Sequence, residues 1–171
     1  MAPSFRPCTA LDLESLAKLS RETFITAFGA VNDPLNLKTY IDRAFHPKTL
    51  ERELDNPDSL FYFAMEGENI LGYFKLNRGD AQTEDQGSEA MELERLYVLE
   101  THQGKGLGSL MLKEVIQLAR GDNKKRLWLG VWQHNSGAIR LYLRHNFQKF
   151  GQHFYFIGSD RQTDWLMRLE L

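Results

Sequence analysis

Apolar and polar positions change period several times along the chain. Residues 4 to 8 can form a short strand. Thr9 and Asp12 then supply an N-cap and an N3 acid, and Leu13, Leu16, Ala17, Phe24, Ala27 and Phe28 recur at helical spacing. A first helix to about Phe28 follows. Between Pro34 and Leu54, scattered Leu, Tyr, Ile and Phe predict one or two shorter amphipathic helices, closed by the turn Asp55-Asn56-Pro57-Asp58. Leu60 to Met65 and Ile70 to Leu76 are aromatic and aliphatic runs around Glu66-Gly67-Glu68-Asn69, a hairpin signal. After a polar loop over 77 to 89, Met91 to Leu99 reads as a strand. Strict alternation puts Leu93, Arg95 and Tyr97 on one face and Glu92, Glu94, Leu96 and Val98 on the other.

Leu107, Met111, Val115 and Leu118 mark a helix from Gly106 to Arg120. Arg126 to Trp132 reads as a buried strand, Asn135 to His145 as a short helix, and 147 to 157 and 163 to 171 as two more strands. Strand, helix and strand in that order join parallel strands, so the expected architecture is α/β with a mixed central sheet.

A chain of 171 residues fits a single domain over 1 to 171. With 42% hydrophobic and 26% charged residues the composition is that of a folded globular protein. The net charge of −2 offers no positive field for nucleic acid. Apolar runs fall well short of a membrane span, and the N-terminus lacks a signal-peptide pattern, so the expected location is the cytoplasm. The one cysteine, Cys8, has no internal disulfide partner and reads as a small residue ending the first strand. His46, His102, His134, His145 and His153 lack metal-ligand spacing, read as surface or packing residues, and predict no metal site.

The chemistry concentrates where Gln103-Gly104-Lys105-Gly106-Leu107-Gly108 opens a helix. First-turn amides are unpaired and carry partial positive charge, glycines let a phosphate approach the backbone, and Lys105 can add charge. A P-loop needs Ser or Thr after the lysine, whereas Gly106 follows Lys105. A dinucleotide fingerprint needs a glycine where Ser109 stands. Spacing alone leaves an anion site or a plain glycine turn.

Read together with Leu96-Tyr97-Val98 before it and Asn135, Ala138 and Tyr142 after it, this loop resembles the Gln/Arg-x-x-Gly-x-Gly/Ala signature of the GNAT superfamily of N-acetyltransferases. Leu93-Glu94-Arg95-Leu96-Tyr97, Trp128-Leu129-Gly130-Val131-Trp132 and Gln162-Thr163-Asp164 are similar to the bacterial PaiA-type spermidine/spermine N-acetyltransferases, over essentially the whole chain. Asn146 departs from the glycine usual before the following Phe, but asparagine also suits a left-handed C-cap. The resemblance implies a mostly antiparallel sheet with helices around it and a splayed parallel pair of central strands. It implies acetyl-CoA as cosubstrate, held through Gln103, Gly104, Lys105, Gly106, Leu107 and Gly108 at the pyrophosphate and Leu96, Tyr97 and Val98 along the pantetheine arm. Asn135 and Arg144 complete that cofactor set, and a homodimer is common in the superfamily.

Amine acetylation needs a proton acceptor for the nitrogen and a proton donor for the leaving thiolate. The resemblance makes Tyr142, seven residues after Asn135, the acid. Glu92, eleven residues before Gln103, stands where histone-acetylating relatives carry a base glutamate, and Glu94 shares its face; a structural salt bridge is the other reading of both. Asp80, Glu84, Asp85, Glu89, Glu92, Glu94 and Glu100 against Arg95 alone favour a cationic acceptor, although Glu84, Asp85 and Glu89 also suit a solvated loop. Trp128 and Trp132, in phase on one strand, read as core or pocket wall. The expected reaction is direct acetyl transfer to a primary amine, a polyamine first. A protein or peptide amine, an aminoglycoside, or acyl-CoA binding without turnover are the alternatives.

Overall fold

The computed structural model describes residues 2–171. Chain order is β1 (Ser4–Pro7), α1 (Leu13–Phe28), α2 (Pro34–Ala44), α3 (Pro47–Asp55), β2 (Ser59–Glu66), β3 (Asn69–Arg78), β4 (Ala90–Val98), α4 (Leu107–Gly121), β5 (Arg126–Trp132), α5 (Ser136–Arg144), β6 (Gln148–Ile157) and β7 (Asp160–Glu170). Local chemistry sets the helix starts. Thr9 and Asp12 form a reciprocal capping box ahead of α1, Asp33 and His46 cap α2 and α3, each followed by a proline at the first turn, and Asn135 caps α5. Asn146 ends α5 at φ +66°, the left-handed turn expected of it.

The strands make one sheet in the order β1-β2-β3-β4-β5-β7-β6. Among the described residues only β4 and β5 pair in parallel, as the crossover through α4 requires. Helices cover both faces. On one, Met111, Leu112 and Val115 of α4 and Ile139 and Tyr142 of α5 pack on Phe74, Leu76, Met91, Leu93 and Leu127. On the other, Leu16 and Phe24 of α1, Ile41 of α2 and Leu50 of α3 pack on Phe61, Phe63 and Tyr73. Burying each large apolar side chain stabilises by roughly 1.5–3 kcal/mol.

One expectation for β4 is corrected. The β3–β4 register shifts between Lys75, opposite Arg95, and Leu76, opposite Leu93, so Glu94 is an extra residue in a β-bulge. Met91, Leu93, Leu96 and Val98 therefore share the α4 face. Glu92, Glu94, Arg95 and Tyr97 share the other, where they line one cavity. Leu93 does not lie with Arg95 and Tyr97, and Leu96 and Val98 do not lie with the glutamates.

Candidate active site

Parallel pairing of β4 with β5 runs over Ala90–Arg126, Met91–Leu127 and Glu92–Trp128 and stops there. Beyond that rung the strands part. A cleft of about 820 Å³ opens at the splayed end, between Leu96, Tyr97 and Val98, the loop from His102 to Ser109, and Trp132 to Arg144. A second cavity, of about 350 Å³, has Glu92, Glu94, Tyr97, Trp128 and Trp132 in its wall. The two share Phe28, Tyr97 and Trp132.

The cleft fits an anionic ligand. No side chain caps α4, unlike α2, α3 and α5, so the Leu107 and Gly108 amides remain for a ligand in the wall that Gly106 and Ser109 also line, while the Ser109 amide donates to the Gly106 carbonyl at 3.1 Å. Gly104 and Gly106 hold φ of +72° and +81°, which side chains rarely adopt, and a Cβ at either would meet nothing within 4 Å. Arg140 and Arg144, one turn apart on α5, add positive charge to the same wall. Gln103 donates from Nε2 to the Val98 carbonyl at 3.0 Å, bracing the loop against the end of β4. Lys105 donates from Nζ to the Thr101 carbonyl at 2.8 Å and is not among the lining residues, so its charge is directed elsewhere than expected. Asn135 lines the cleft while its Oδ1 accepts from the Ala138 amide at 3.2 Å.

Tyr142 lies outside the lining of both cavities, buried in the core of the α4 face with its ring tilted against Phe147 at 5.7 Å. It sits one turn beyond Ala138, which does line the cleft. Burial pushes its phenol up to about 12.

The two glutamates of β4 sit side by side but in different electrostatic settings. Asn77 donates from Nδ2 to Glu92 Oε2 at 3.1 Å and to Glu94 Oε2 at 2.7 Å, and is itself held by Ser59. Burial pushes Glu94 up, but Arg95 and Lys75 outweigh it and carry the carboxyl down to about 2. Lys75 and Arg95 also contact Glu53, closing a buried network of two cations and two anions. Glu92, 3% exposed, is in no ion pair with a cation among the described residues. Burial first, and then the Glu94 charge, raise its pKa, and the hydrogen bonds from Thr83 and Asn77 only partly oppose them.

The loop between β3 and β4 holds more of the site than sequence indicates. Trp128 donates from Nε1 to Gln82 Oε1 at 2.7 Å, Thr83 donates twice to Glu92, and Glu84 contacts His153. Asp85 and Glu89 are solvated, whereas Glu84 lines the cavity with His153 and Asp164. Burial raises the Asp164 carboxyl, opposed by His153, whose Nε2 is 3.6 Å away. The signal for these residues was weak: a polar loop and a lone histidine on an edge strand. Aromatic walls from Phe24, Phe28, Tyr40, Tyr97, Trp128 and Trp132 complete a cavity suited to an amine. Among the described residues no group of three or more His, Cys, Asp or Glu is placed to hold a metal ion, and no helix is long and apolar enough to cross a membrane.

The sequence profile of the Acetyltransferase (GNAT) family matches residues 15–147. An uncharacterized N-acetyltransferase in the pepI 3′ region of Lactobacillus delbrueckii subsp. lactis is 35% identical over 160 residues, covering 94% of this chain and 92% of that protein. The spermine/spermidine N(1)-acetyltransferase of Bacillus subtilis is 38% identical over 97 residues, 56% of this chain and 61% of that one. Among solved structures, the PaiA N-acetyltransferase of Thermoplasma acidophilum in complex with coenzyme A superposes with a TM-score of 0.82 at 21% identity, covering 100% of both chains. The chain belongs to the GNAT family and is an acetyl-CoA-dependent N-acetyltransferase.

Proposed function

We propose that the acceptor is a small cationic primary amine, a polyamine such as spermidine or spermine, bound in the cavity over Glu92. The observation that carries this reading is the joining of the cleft, through Tyr97 and Trp132, to an aromatic cavity that also holds Glu84, Glu92, Glu94 and Asp164. With Glu94 neutralised by Lys75 and Arg95, the remaining carboxylates favour an ammonium over an anion. The partial match to the Bacillus spermine/spermidine enzyme supports the same choice.

Acetyl-CoA supplies an activated acyl group as a thioester. The amides of Gly106, Leu107 and Gly108 with Arg140 and Arg144 hold its phosphates, and the backbone of Leu96 to Val98 orients its arm. Glu92, with its raised pKa, accepts the proton that the amine nitrogen loses. Asn77 fixes the carboxylate and Glu94 stays ionised beside it. Tyr142, protonated through the neutral range, donates to the departing thiolate.

Thiol release from acetyl-CoA, measured with spermidine, spermine, a lysine peptide and an aminoglycoside, tests the acceptor. Polyamines should give the highest kcat/KM. Turnover of the peptide or the aminoglycoside alone would overturn the polyamine reading.

A further inference from the structure

Glu92 is not bare toward the cavity. Its Oε2 accepts two N–H donors, the Thr83 amide at 2.7 Å and Asn77 Nδ2 at 3.1 Å. Its Oε1 accepts the Thr83 hydroxyl at 2.5 Å. The partners differ chemically. An amide N–H has no lone pair with which to take up a proton, whereas a hydroxyl donates one hydrogen bond and accepts others. Thr83 is open to the cavity that it lines, while Glu92 is 3% exposed beneath it. Thr83 Oγ1 therefore stands on a path from the cavity to Oε1.

The loop that carries Thr83 is fastened on both sides of it. Gln82 accepts from Trp128 of β5 and Glu84 contacts His153 of β6, so three consecutive residues are tied to three different strands of the site. That fixes the hydroxyl, and a relay group has to be held in place.

We propose that Thr83 is a catalytic residue: its hydroxyl oxygen takes the proton released by the attacking amine nitrogen while its own proton passes to Glu92 Oε1. One N–H and one O–H bond break, two O–H bonds form, and Thr83 ends as it began, with the carboxylate now a carboxylic acid. The proposal rests on Glu92 as final acceptor. The charged and titratable groups around the pair are Glu94 with Lys75 and Arg95 behind it, and Glu84 with His153 along the loop.

Single-turnover acetylation of spermidine by wild type, Thr83→Val, Thr83→Ser and Glu92→Gln, followed across pH and in mixtures of light and heavy water, tests it. Thr83→Val keeps the shape and the backbone amide to Oε2 but removes the relay. Its rate should fall about 10²-fold with the KM for acetyl-CoA unchanged, and Thr83→Ser should restore most of it. The wild-type rate should depend on deuterium fraction along a curve that needs two protons in flight. A wild-type rate in Thr83→Val with a slow Glu92→Gln overturns the relay and leaves Glu92 as a direct base. A wild-type rate in Glu92→Gln removes the base and the relay together. Where Thr83→Val does not fold, the wild-type isotope curve decides alone: a straight line overturns the relay.

Discussion

Glu92 stands opposite Trp128 on the last rung of the parallel ladder, so the carboxylate is fixed by strand pairing at the point where the sheet opens. Beyond that rung β4 leaves β5, and from Leu96 onward it is a wall of the cleft. The proposed proton acceptor is thus built into the rigid side of the opening. A site on a paired strand holds its geometry better than one on a free loop.

Glu92→Gln should lower kcat by about 10²-fold or more and remove the acid limb of kcat/KM. Burial and Glu94 raise the Glu92 pKa, and only the ionised carboxylate accepts a proton. Activity should therefore fall as pH drops through a value above that of a free glutamate. A rate profile between pH 4 and 9 checks this; a limb that persists in the amide variant belongs to another group.

Glu94→Gln acts on stability before chemistry. It leaves Lys75 and Arg95 with Glu53 as their one remaining carboxylate in the network, and breaking such a buried network costs about 3 kcal/mol. A group whose folded pKa is lowered stabilises above its unfolded value and loses that contribution as pH falls. Wild type should accordingly weaken between pH 4.5 and about 2, and the variant less so. Urea unfolding at pH 7 and pH 3.5 measures both.

Gly106→Ala places a Cβ where φ is +81°, at a cost of about 1–2 kcal/mol for a left-handed residue. Space is open there, so the damage should be to loop geometry. The KM for acetyl-CoA should rise about tenfold while kcat with a saturating donor changes little. Calorimetric titration with coenzyme A gives the binding part directly.

Tyr142→Phe should keep coenzyme A binding within about twofold and lose about 10²-fold in kcat. With the phenol pushed up to about 12, wild-type kcat should show no loss from this group up to pH 10. Unchanged kcat in the phenylalanine variant would take Tyr142 out of the mechanism.

Periodicity revealed the strands and helices because each face pattern is local. The hairpin at 66 to 69, the crossover through α4 and the cap at Asn146 all follow from residues within a few positions of one another. The acceptor side was harder to read. The opposite pKa shifts of Glu92 and Glu94 arise because burial raises both and Arg95 and Lys75 outweigh it at Glu94 alone, and the placement of Lys75 beside Glu94 depends on strand register. Glu84 and His153 meet only because β6 lies outside β7 and the loop crosses toward it. Long-range pairings of that kind leave no periodic trace in the chain.

The bulge at Glu94 changes the parity of β4. Up to Leu93, odd positions belong to the core under α4; from Leu96 onward, even positions do. A scan of substitutions along the strand should show tolerance reversing phase between these two halves. Flattening the bulge with Glu94 still in the strand would exchange the lining of the cavity for greasy core in a single step, whereas deleting Glu94 would leave a regular strand with the same two faces. By absorbing the extra residue, the bulge lets one strand serve the hydrophobic interior at both ends while turning Glu92, Arg95 and Tyr97 the other way.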